Sequence, residues 1–250
     1  MALQEELEKQ GVWLFRYRGT LPLVILLVGA LMYVTTRVVS GSFFLSGSPY
    51  EVYFDLACLS ISLVGLGVRI YTVGHTPRNT SGRNVKEQVA EKLNSTGIYS
   101  VVRHPLYLGN FLMWLGPALF TGHFWFVGVF CFFYWVYYER IMFAEEQFLR
   151  RKFQDRYTTW AESVPAFVPN ISRFQKAEVP FSWKKVIREE KNGLLATFLV
   201  FCLFNLSGEL LKGGEDFNRL FLWGAVVTFM LYVVIKYTNK WTSLLDDPEN

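Results

Sequence analysis

Arg103-His104-Pro105-Leu106-Tyr107-Leu108-Gly109 is the stretch that decides the fold, because it places a charged step directly before an apolar run. The residue before a proline avoids the helical region, and proline is well accommodated in the first turn of a helix. The stretch therefore predicts an extended His104 followed by a helix that begins at Pro105. A helix N-terminus favours anionic groups, so the imidazole and guanidinium mark a place where such groups can bind.

An acidic pair closes the next apolar run. Glu145 and Glu146 are adjacent, so on a helix they point in different directions, and we expect only one of them to face a site. A carboxylate there could accept hydrogen bonds from a ribose or an ammonium group, or orient Arg103. Ionisable groups at the edge of a bilayer are costly and usually mark a functional site. The charged step and the acidic pair are therefore predicted to be the two halves of one motif and to form one site at one membrane depth.

The composition is that of a polytopic membrane protein. The chain has 250 residues, of which 52% are hydrophobic and 18% aromatic, and its mean hydropathy is +0.22. The net charge of +4 is modest and its positive residues are dispersed among apolar runs, which argues against a nucleic-acid partner. Cys58, Cys131 and Cys202 lie within apolar runs without metal-ligand spacing, so no metal site is predicted.

Hydropathy predicts an all-α fold with about six transmembrane helices. The apolar segments are 21–39, 53–73, 106–120, 124–143, 194–211 and 217–237. The third is short for a crossing of about 20 residues and only residues 121–123 follow it, which predicts a tight hairpin and leaves the span count open. The predicted regions are 1–73 with the first two helices, 74–172 as the catalytic core, and 173–250 with a basic linker and two further helices.

The distribution of positive charge predicts the orientation. All but three of the 25 Lys and Arg residues fall on one side of these segments, the exceptions being Arg37, Lys212 and Arg219. The positive-inside rule puts that side in the cytoplasm, together with both termini and both halves of the motif. Soluble nucleotide-like cofactors are available there, so we expect a cytoplasmic cofactor pocket in an integral membrane protein.

These motifs resemble those of the isoprenylcysteine carboxyl methyltransferase family and its phospholipid N-methyltransferase relatives. The family pattern runs G-x-Y, R-H-P-x-Y-x-G, a hairpin, E-E, and F-G-x-x-Y-x-x-Y-x-x-x-V-P-x-x-x-P. The positions that match in register are Gly97, Tyr99, Arg103, His104, Pro105, Tyr107, Gly109, Glu145, Glu146, Phe153, Tyr157, Val164, Pro165 and Pro169. Two positions depart: Gln154 stands where the family has glycine, and Trp160 where it has a second tyrosine.

The resemblance implies an integral membrane enzyme that transfers a methyl group from S-adenosylmethionine to a lipid entering sideways from the bilayer. It assigns the catalytic roles to Arg103 and Glu146. The residues it assigns to cofactor binding are Tyr99, His104, Pro105, Tyr107, Gly109, Glu145 and Glu146.

A polar loop between the second and third segments bears on the substrate. Arg78, Asn79, Arg83 and Asn84 are phosphate-compatible donors, and Gly82 allows a tight loop, so the loop could hold a lipid phosphate. Its arginines could equally meet anionic headgroups as a solvated connector. With this loop the chain is similar to bacterial lipid A 1-phosphate methyltransferases, and the expected location is then a bacterial inner membrane.

Three alternatives remain open at this stage. The acceptor could be an isoprenylcysteine carboxylate or a phospholipid amine; an anionic acceptor needs no general base, whereas an amine must be neutral. NADPH-dependent sterol-type reductases resemble the hairpin region but carry Asn before the tyrosine, where Leu106 stands here. A transporter or scaffold would need a polar pathway at mid-membrane. The sequence leaves open the oligomeric state and the role of the last two helices.

Overall fold

The protein is a bundle of α-helices. The computed structural model describes residues 2–39, 41, 43–77, 90–214, 217–242 and 245. The helices are α1 (Leu3–Arg16), α2 (Leu21–Val34), α3 (Glu51–Gly74), α4 (Pro105–Phe120), α5 (Phe124–Phe153), α6 (Asp155–Ser163), α7 (Trp183–Lys212) and α8 (Arg219–Trp241). No β-strand forms in this part of the chain, so the predicted all-α class is confirmed.

Four helices are long and apolar enough to cross a membrane, namely α3, α5, α7 and α8. They have 23 to 30 residues, which at about 1.5 Å per residue exceeds the roughly 30 Å of a bilayer core. The apolar stretch Leu23–Val39 is shorter, and α4 has only 16 residues. Each of the six apolar segments predicted from hydropathy therefore coincides largely with an α-helix, although residues 35–39 form a π-helical turn after α2 and residues 217–218 precede α8. Four of these helices are both long and apolar enough for a crossing.

The tight hairpin predicted between the third and fourth segments is present. Helix α4 ends at Phe120 and α5 begins at Phe124. Gly122 has a φ of +70° and makes the turn, in a conformation that residues with a side chain rarely adopt. Nδ1 of His123 accepts a hydrogen bond from the backbone N–H of Phe126 at 3.1 Å, so this histidine caps α5.

Small residues allow α3 and α4 to pack at close range. A Cβ atom on Gly65 would lie 2.5 Å from the carbonyl oxygen of Gly109, and one on Gly109 would lie 2.6 Å from Cγ of Arg69. Helices in membranes associate through such close backbone approaches. This packing brings Arg69 beside the first turns of α4, where the charged step of the sequence lies.

The hydropathy pattern predicts no helix before the first apolar segment. The structure nevertheless has α1 there, and α1 packs along the C-terminal half of α5, the half for which the sequence predicts a cytoplasmic location. The Tyr137 hydroxyl donates to the Leu14 carbonyl at 3.0 Å, and Gly11 lies against the backbone of Arg140. Phe15 is buried in this contact, whereas Trp13 is exposed. Helix α1 is short, amphipathic and rich in charged residues, so it contains no long apolar run by which hydropathy could predict it.

Helix α5 breaks at Gln154, the position where the family pattern has glycine. Its φ of +48° and ψ of −127° make Gln154 the one non-glycine residue with positive φ in the described part of the chain. The conformation turns the chain sharply from α5 into α6. A glycine adopts it without steric cost, whereas a residue with a Cβ atom is strained by about 1–3 kcal/mol.

We therefore expect Gln154→Gly to stabilise the protein by about 1 kcal/mol, which corresponds to a rise of about 2–4 °C in melting temperature. Thermal unfolding in detergent measures this. The matched control is Gln147→Gly, which places the same substitution inside α5 and should destabilise by about 1 kcal/mol. A fall in melting temperature for both variants would contradict strain at residue 154.

Candidate functional site

The two halves of the sequence motif meet at the N-terminus of α4. His104 Nε2 lies 2.9 Å from Oε1 of Glu146, and Arg103 Nε lies 3.1 Å from the same oxygen in an ion pair. His104 and Glu146 are 42 residues apart along the chain. The predicted convergence of the charged step with the acidic pair is therefore observed.

Local structure explains how the charged step is held. His104 has a φ of −120° and a ψ of 62°, outside the helical region, and Pro105 is the first residue of α4, as the sequence predicts. The segment after α6 pairs with the backbone here. The N–H of Arg103 donates to the Pro165 carbonyl at 2.9 Å, and that of His104 to the Ala166 carbonyl at 3.2 Å. The valine–proline part of the motif thus supports the charged step.

The acidic pair divides into two positions. Glu146 lies behind the charged step, where it binds Arg103 and His104. Glu145 lines a cavity, accepts a hydrogen bond from the Tyr107 hydroxyl at 3.0 Å and lies 3.8 Å from His104 Nδ1. The carboxylate that faces the cavity, which the sequence leaves open, is therefore that of Glu145.

The cavity has a volume of about 230 Å³ and is partly open. It is lined by Arg18, Arg69, Val73, Tyr99, Arg103, His104, Pro105, Leu106, Tyr107, Asn110, Glu145, Glu189 and Glu190. The cavity is thus lined by both halves of the motif and by polar side chains from three other places, namely the α1–α2 connection, α3 and α7.

The charges in the cavity are unevenly compensated. Arg103 is paired with Glu146, and Arg69 with Glu190 at 2.7 Å. Among the described residues Glu145 has no arginine or lysine partner, only the phenol of Tyr107 and the ring of His104. Glu145 is therefore the acceptor best placed to receive a cationic group or a hydroxyl from a ligand.

Tyr99 adds a neutral aromatic wall beside this carboxylate. Burial, together with the nearby Glu145 carboxylate, holds the pKa of the Tyr99 hydroxyl well above its ordinary value. The phenol is therefore protonated at physiological pH and acts as a hydrogen-bond donor rather than as a base. Its backbone is fixed as well, because Trp160 Nε1 donates to the Tyr99 carbonyl at 3.1 Å.

The residues expected from the sequence fall into three groups. Those that line the cavity are Tyr99, Arg103, His104, Pro105, Tyr107 and Glu145. Glu146 lies outside the lining and supports it, and Gly109 faces Arg69 of α3 instead of the cavity. The loop residues Arg78, Asn79, Arg83 and Asn84 lie outside the described residues.

Several lining residues were not expected from the sequence. They are Arg18, Asn110, Glu189 and Glu190, together with Arg69 of α3. One signal was present: the pair Glu189–Glu190 precedes the fifth apolar segment, just as Glu145–Glu146 closes the fourth. Among the described residues no group of three or more His, Cys, Asp or Glu side chains is arranged to hold a metal ion.

Comparison with protein families identifies the core of this structure. Residues 57–156 match the family model described as phospholipid methyltransferase (PEMT). This part of the chain is therefore similar to phospholipid methyltransferases. The resemblance to the isoprenylcysteine and phospholipid methyltransferases is thereby confirmed, and the matched region contains every motif-derived lining residue from Tyr99 to Glu145.

The chain is also similar to curated proteins, one of which is named a methyltransferase. The chain is 32% identical over 97 residues to the protein-S-isoprenylcysteine O-methyltransferase of Schizosaccharomyces pombe, covering 36% of this chain and 41% of the relative. It is 30% identical over 127 residues to the nickel-cobalt-cadmium resistance protein NccN of Alcaligenes xylosoxydans xylosoxydans, covering 50% of this chain and 56% of the relative. It is also 30% identical over 117 residues to the cobalt-zinc-cadmium resistance protein CzcN of Cupriavidus metallidurans, covering 47% and 52%.

The chain thus spans about half the length of the curated relatives it matches. No solved structure matches it significantly. The region that matches the family model ends before α7, so Glu189 and Glu190 line the cavity from outside that region. The cavity is therefore built by the matched region together with helix α7, which the match does not include.

The different positions of the two glutamates lead to a prediction about stability. We expect Glu146→Gln to lower the unfolding free energy by about 1–3 kcal/mol, because it removes the charge that Arg103 and His104 share. Glu145→Gln should change stability by less than about 0.5 kcal/mol, because its carboxylate lacks a guanidinium partner in the described structure. Thermal unfolding of both variants in detergent compares them, and equal destabilisation would contradict this division of roles.

Proposed function

We propose that this protein is an S-adenosylmethionine-dependent methyltransferase that acts on a membrane lipid. The observation that carries the proposal is that Arg103, His104 and Glu145 line one cavity, with Glu146 bound behind them, in the region that matches the phospholipid methyltransferase family model. Family members transfer methyl groups, and helices of membrane-spanning length surround the cavity. A lipid would reach the cavity from the bilayer, without passing through water.

The residues present fit S-adenosylmethionine. Glu145 offers a carboxylate without an arginine partner for an ammonium or a ribose diol, and Tyr99 and Tyr107 offer aromatic faces. Guanidinium groups in the same lining suit the carboxylate of the cofactor. The volume of about 230 Å³ is below the roughly 300–1,000 Å³ of small-molecule sites, and the partly open side leaves room for a larger ligand.

The residues act mainly by positioning. S-adenosylmethionine would supply an electrophilic methyl group on a sulfonium centre. Glu146 keeps Arg103 and His104 in fixed orientations, and the Tyr107 hydroxyl orients the Glu145 carboxylate. Holding donor and acceptor in line can contribute up to about 7–11 kcal/mol to catalysis, which is the main source of rate when the acceptor is already a nucleophile.

For the acceptor we favour a lipid phosphate, with lipid A 1-phosphate as the best candidate. The support is the set of donors Arg78, Asn79, Arg83 and Asn84 in the sequence. In the described residues that precede them, Lys185 Nζ donates to the carbonyls of Thr76 and Pro77, which ties the start of this loop to α7. A phosphate monoester is anionic at neutral pH and attacks a methyl sulfonium without a general base.

An isoprenylcysteine carboxylate is supported equally well by the family and by the relative from Schizosaccharomyces pombe. It shares with phosphate the property that no proton must be removed before attack. An amine acceptor fits less well. Both ring nitrogens of His104 face glutamate side chains, at 2.9 and 3.8 Å, so this imidazole would have to leave Glu146 to act as a base on an amine.

A sterol-type reductase using NADPH is the alternative of another class. The resemblance places asparagine before the motif tyrosine in such enzymes, and here Leu106 lines the cavity at that position. Calorimetric titration of the purified protein with S-adenosylhomocysteine and with NADPH separates the two proposals. Binding of NADPH alone would exclude methyl transfer.

We propose further that the cavity opens on the cytoplasmic face of a bacterial inner membrane. The positive-inside distribution of Lys and Arg supports the orientation. The two bacterial relatives support the kind of organism. Membranes incubated with S-adenosylmethionine labelled on the methyl group test the activity directly: we expect label in the lipid fraction, and label confined to protein would contradict a lipid acceptor.

Removal of the motif side chains should abolish activity. We expect Arg103→Ala, His104→Ala and the double variant Glu145→Ala/Glu146→Ala each to reduce methyl transfer by about a hundredfold or more, the scale of a positioning effect. Transfer of labelled methyl groups to lipid is the measurement. Arg140→Ala, which removes an arginine from the surface of α5, is the control and should retain activity. Full activity in all three motif variants would refute the site.

The substrate proposal is tested at Arg83. We expect Arg83→Ala to raise the KM for a phosphorylated lipid acceptor by about tenfold while the Kd for S-adenosylhomocysteine stays unchanged, because one charge-assisted bond to phosphate is lost. Lys176→Ala, at an exposed basic residue of another connection, is the matched control. Equal loss of cofactor and acceptor affinity would count against a phosphate-binding loop.

A further inference from the structure

Part of the cavity wall is organised around Arg69 of α3. Its Nε and Nη2 atoms donate to the two carboxylate oxygens of Glu190 on α7, at 2.9 and 2.7 Å. Its Nη1 atom donates to Oδ1 of Asn110 on α4, at 2.6 Å. The Glu190 residue is only 4% exposed. Three helices therefore fix one guanidinium group at the cavity.

These contacts leave part of the guanidinium unused. Arginine has five N–H donors in a planar arrangement, and in the described structure three of the five on Arg69 donate to Glu190 and Asn110. The Arg69 side chain is 22% exposed and lines the cavity. Two N–H groups of this guanidinium therefore have no protein acceptor among the described residues, and the side chain that carries them lines the cavity.

Fold stability alone does not account for this arrangement. A buried ion pair is commonly no more stabilising than apolar side chains of the same volume, because both charges must be desolvated. What the pair does provide is orientation. A guanidinium fixed by a carboxylate and an amide keeps its other donors in a constant direction, which suits recognition of an oxyanion by charge-assisted hydrogen bonds.

We propose that Arg69 binds an oxyanion in the cavity, a phosphate monoester or a carboxylate, and that Glu190 and Asn110 are its positioning residues. This inference rests on the proposed methyltransferase function and extends it. It also gives α7, which lies outside the region that matches the family model, a role in completing the site. The oxyanion has two sources: the headgroup of the lipid acceptor, or the carboxylate of S-adenosylmethionine.

The cavity lining around Arg69 carries both signs of charge: Arg18 and Arg103 on one side of the balance, Glu145 and Glu189 on the other. Glu190 offsets the charge of Arg69, so that recognition depends on hydrogen-bond geometry as much as on attraction. Loss of one charge-assisted contact is expected to weaken binding by about tenfold to a hundredfold.

The experiment uses the purified full-length protein in detergent. Calorimetry gives the Kd of S-adenosylhomocysteine and of its decarboxylated analogue, and kinetics gives KM and kcat with the lipid extract that accepts the labelled methyl group. The variants are Arg69→Met, Glu190→Gln and the two combined. The control is Arg140→Met, because Arg140 pairs with Glu139 and does not line the cavity.

A tenfold or greater rise in the acceptor KM for Arg69→Met, with kcat within threefold of wild type, assigns the oxyanion to the lipid. Weaker binding of S-adenosylhomocysteine but not of its decarboxylated analogue assigns it to the cofactor. In either case Glu190→Gln should shift the same constant by a smaller factor. The combined variant should be no worse than Arg69→Met, because Glu190 acts through Arg69.

Folding controls keep the test decisive. Arg69→Met leaves the buried Glu190 carboxylate unpaired, which the combined variant avoids, and Arg69→Lys keeps the charge while losing the planar donor pair. We expect Arg69→Lys to fold and to show the same loss of affinity. If folded variants keep both constants within twofold of wild type, the proposal is overturned. Failure of the methyltransferase proposal looks different, because the wild-type protein would then neither bind S-adenosylhomocysteine nor label lipid.

Discussion

The site depends on the contact between the Arg103–His104 step and Glu146. The step lies directly before α4 and Glu146 lies just after the apolar part of α5, and isolated charges are expensive at such positions. Each compensates the other, so that neither can be removed without leaving an ionisable group poorly paired. The rest of the region is arranged around this contact: Pro105 starts α4 directly after it, and the Pro165 and Ala166 carbonyls accept its backbone N–H groups.

Close packing of α3 against α4 carries this geometry into the rest of the cavity. Gly65 and Gly109 allow the two backbones to approach, and Arg69 then lies beside Asn110. A larger residue at either glycine would separate the helices and move the guanidinium away. Gly109, which matches the family pattern, thus affects the cavity through helix packing. Because it has no side chain, it leaves room for the side chain of Arg69.

The parts that sequence predicts well are those fixed by local chemistry. The helix start at Pro105 follows from proline geometry, and the hairpin follows from a short polar turn between two apolar runs. Which carboxylate faces the cavity depends on the rotation of α5, which packing against α1 and α4 sets, so the sequence left Glu145 and Glu146 equivalent. The pair Arg69–Glu190 joins residues 121 positions apart, and no local pattern marks such a partner.

The two departures from the family pattern, at Gln154 and Trp160, show how the surface helix α6 acts on the cavity. Tyr157 is fully buried and Trp160 donates to the carbonyl of Tyr99, a lining residue, so α6 is anchored at two points. With these anchors fixed, the chain must turn through the left-handed region between α5 and α6 whichever side chain residue 154 carries. The strain at Gln154 persists because burial and hydrogen bonding in α6 outweigh it. The indole of Trp160 in turn supplies an N–H that reaches the backbone of Tyr99, so this substitution preserves a wall of the cavity.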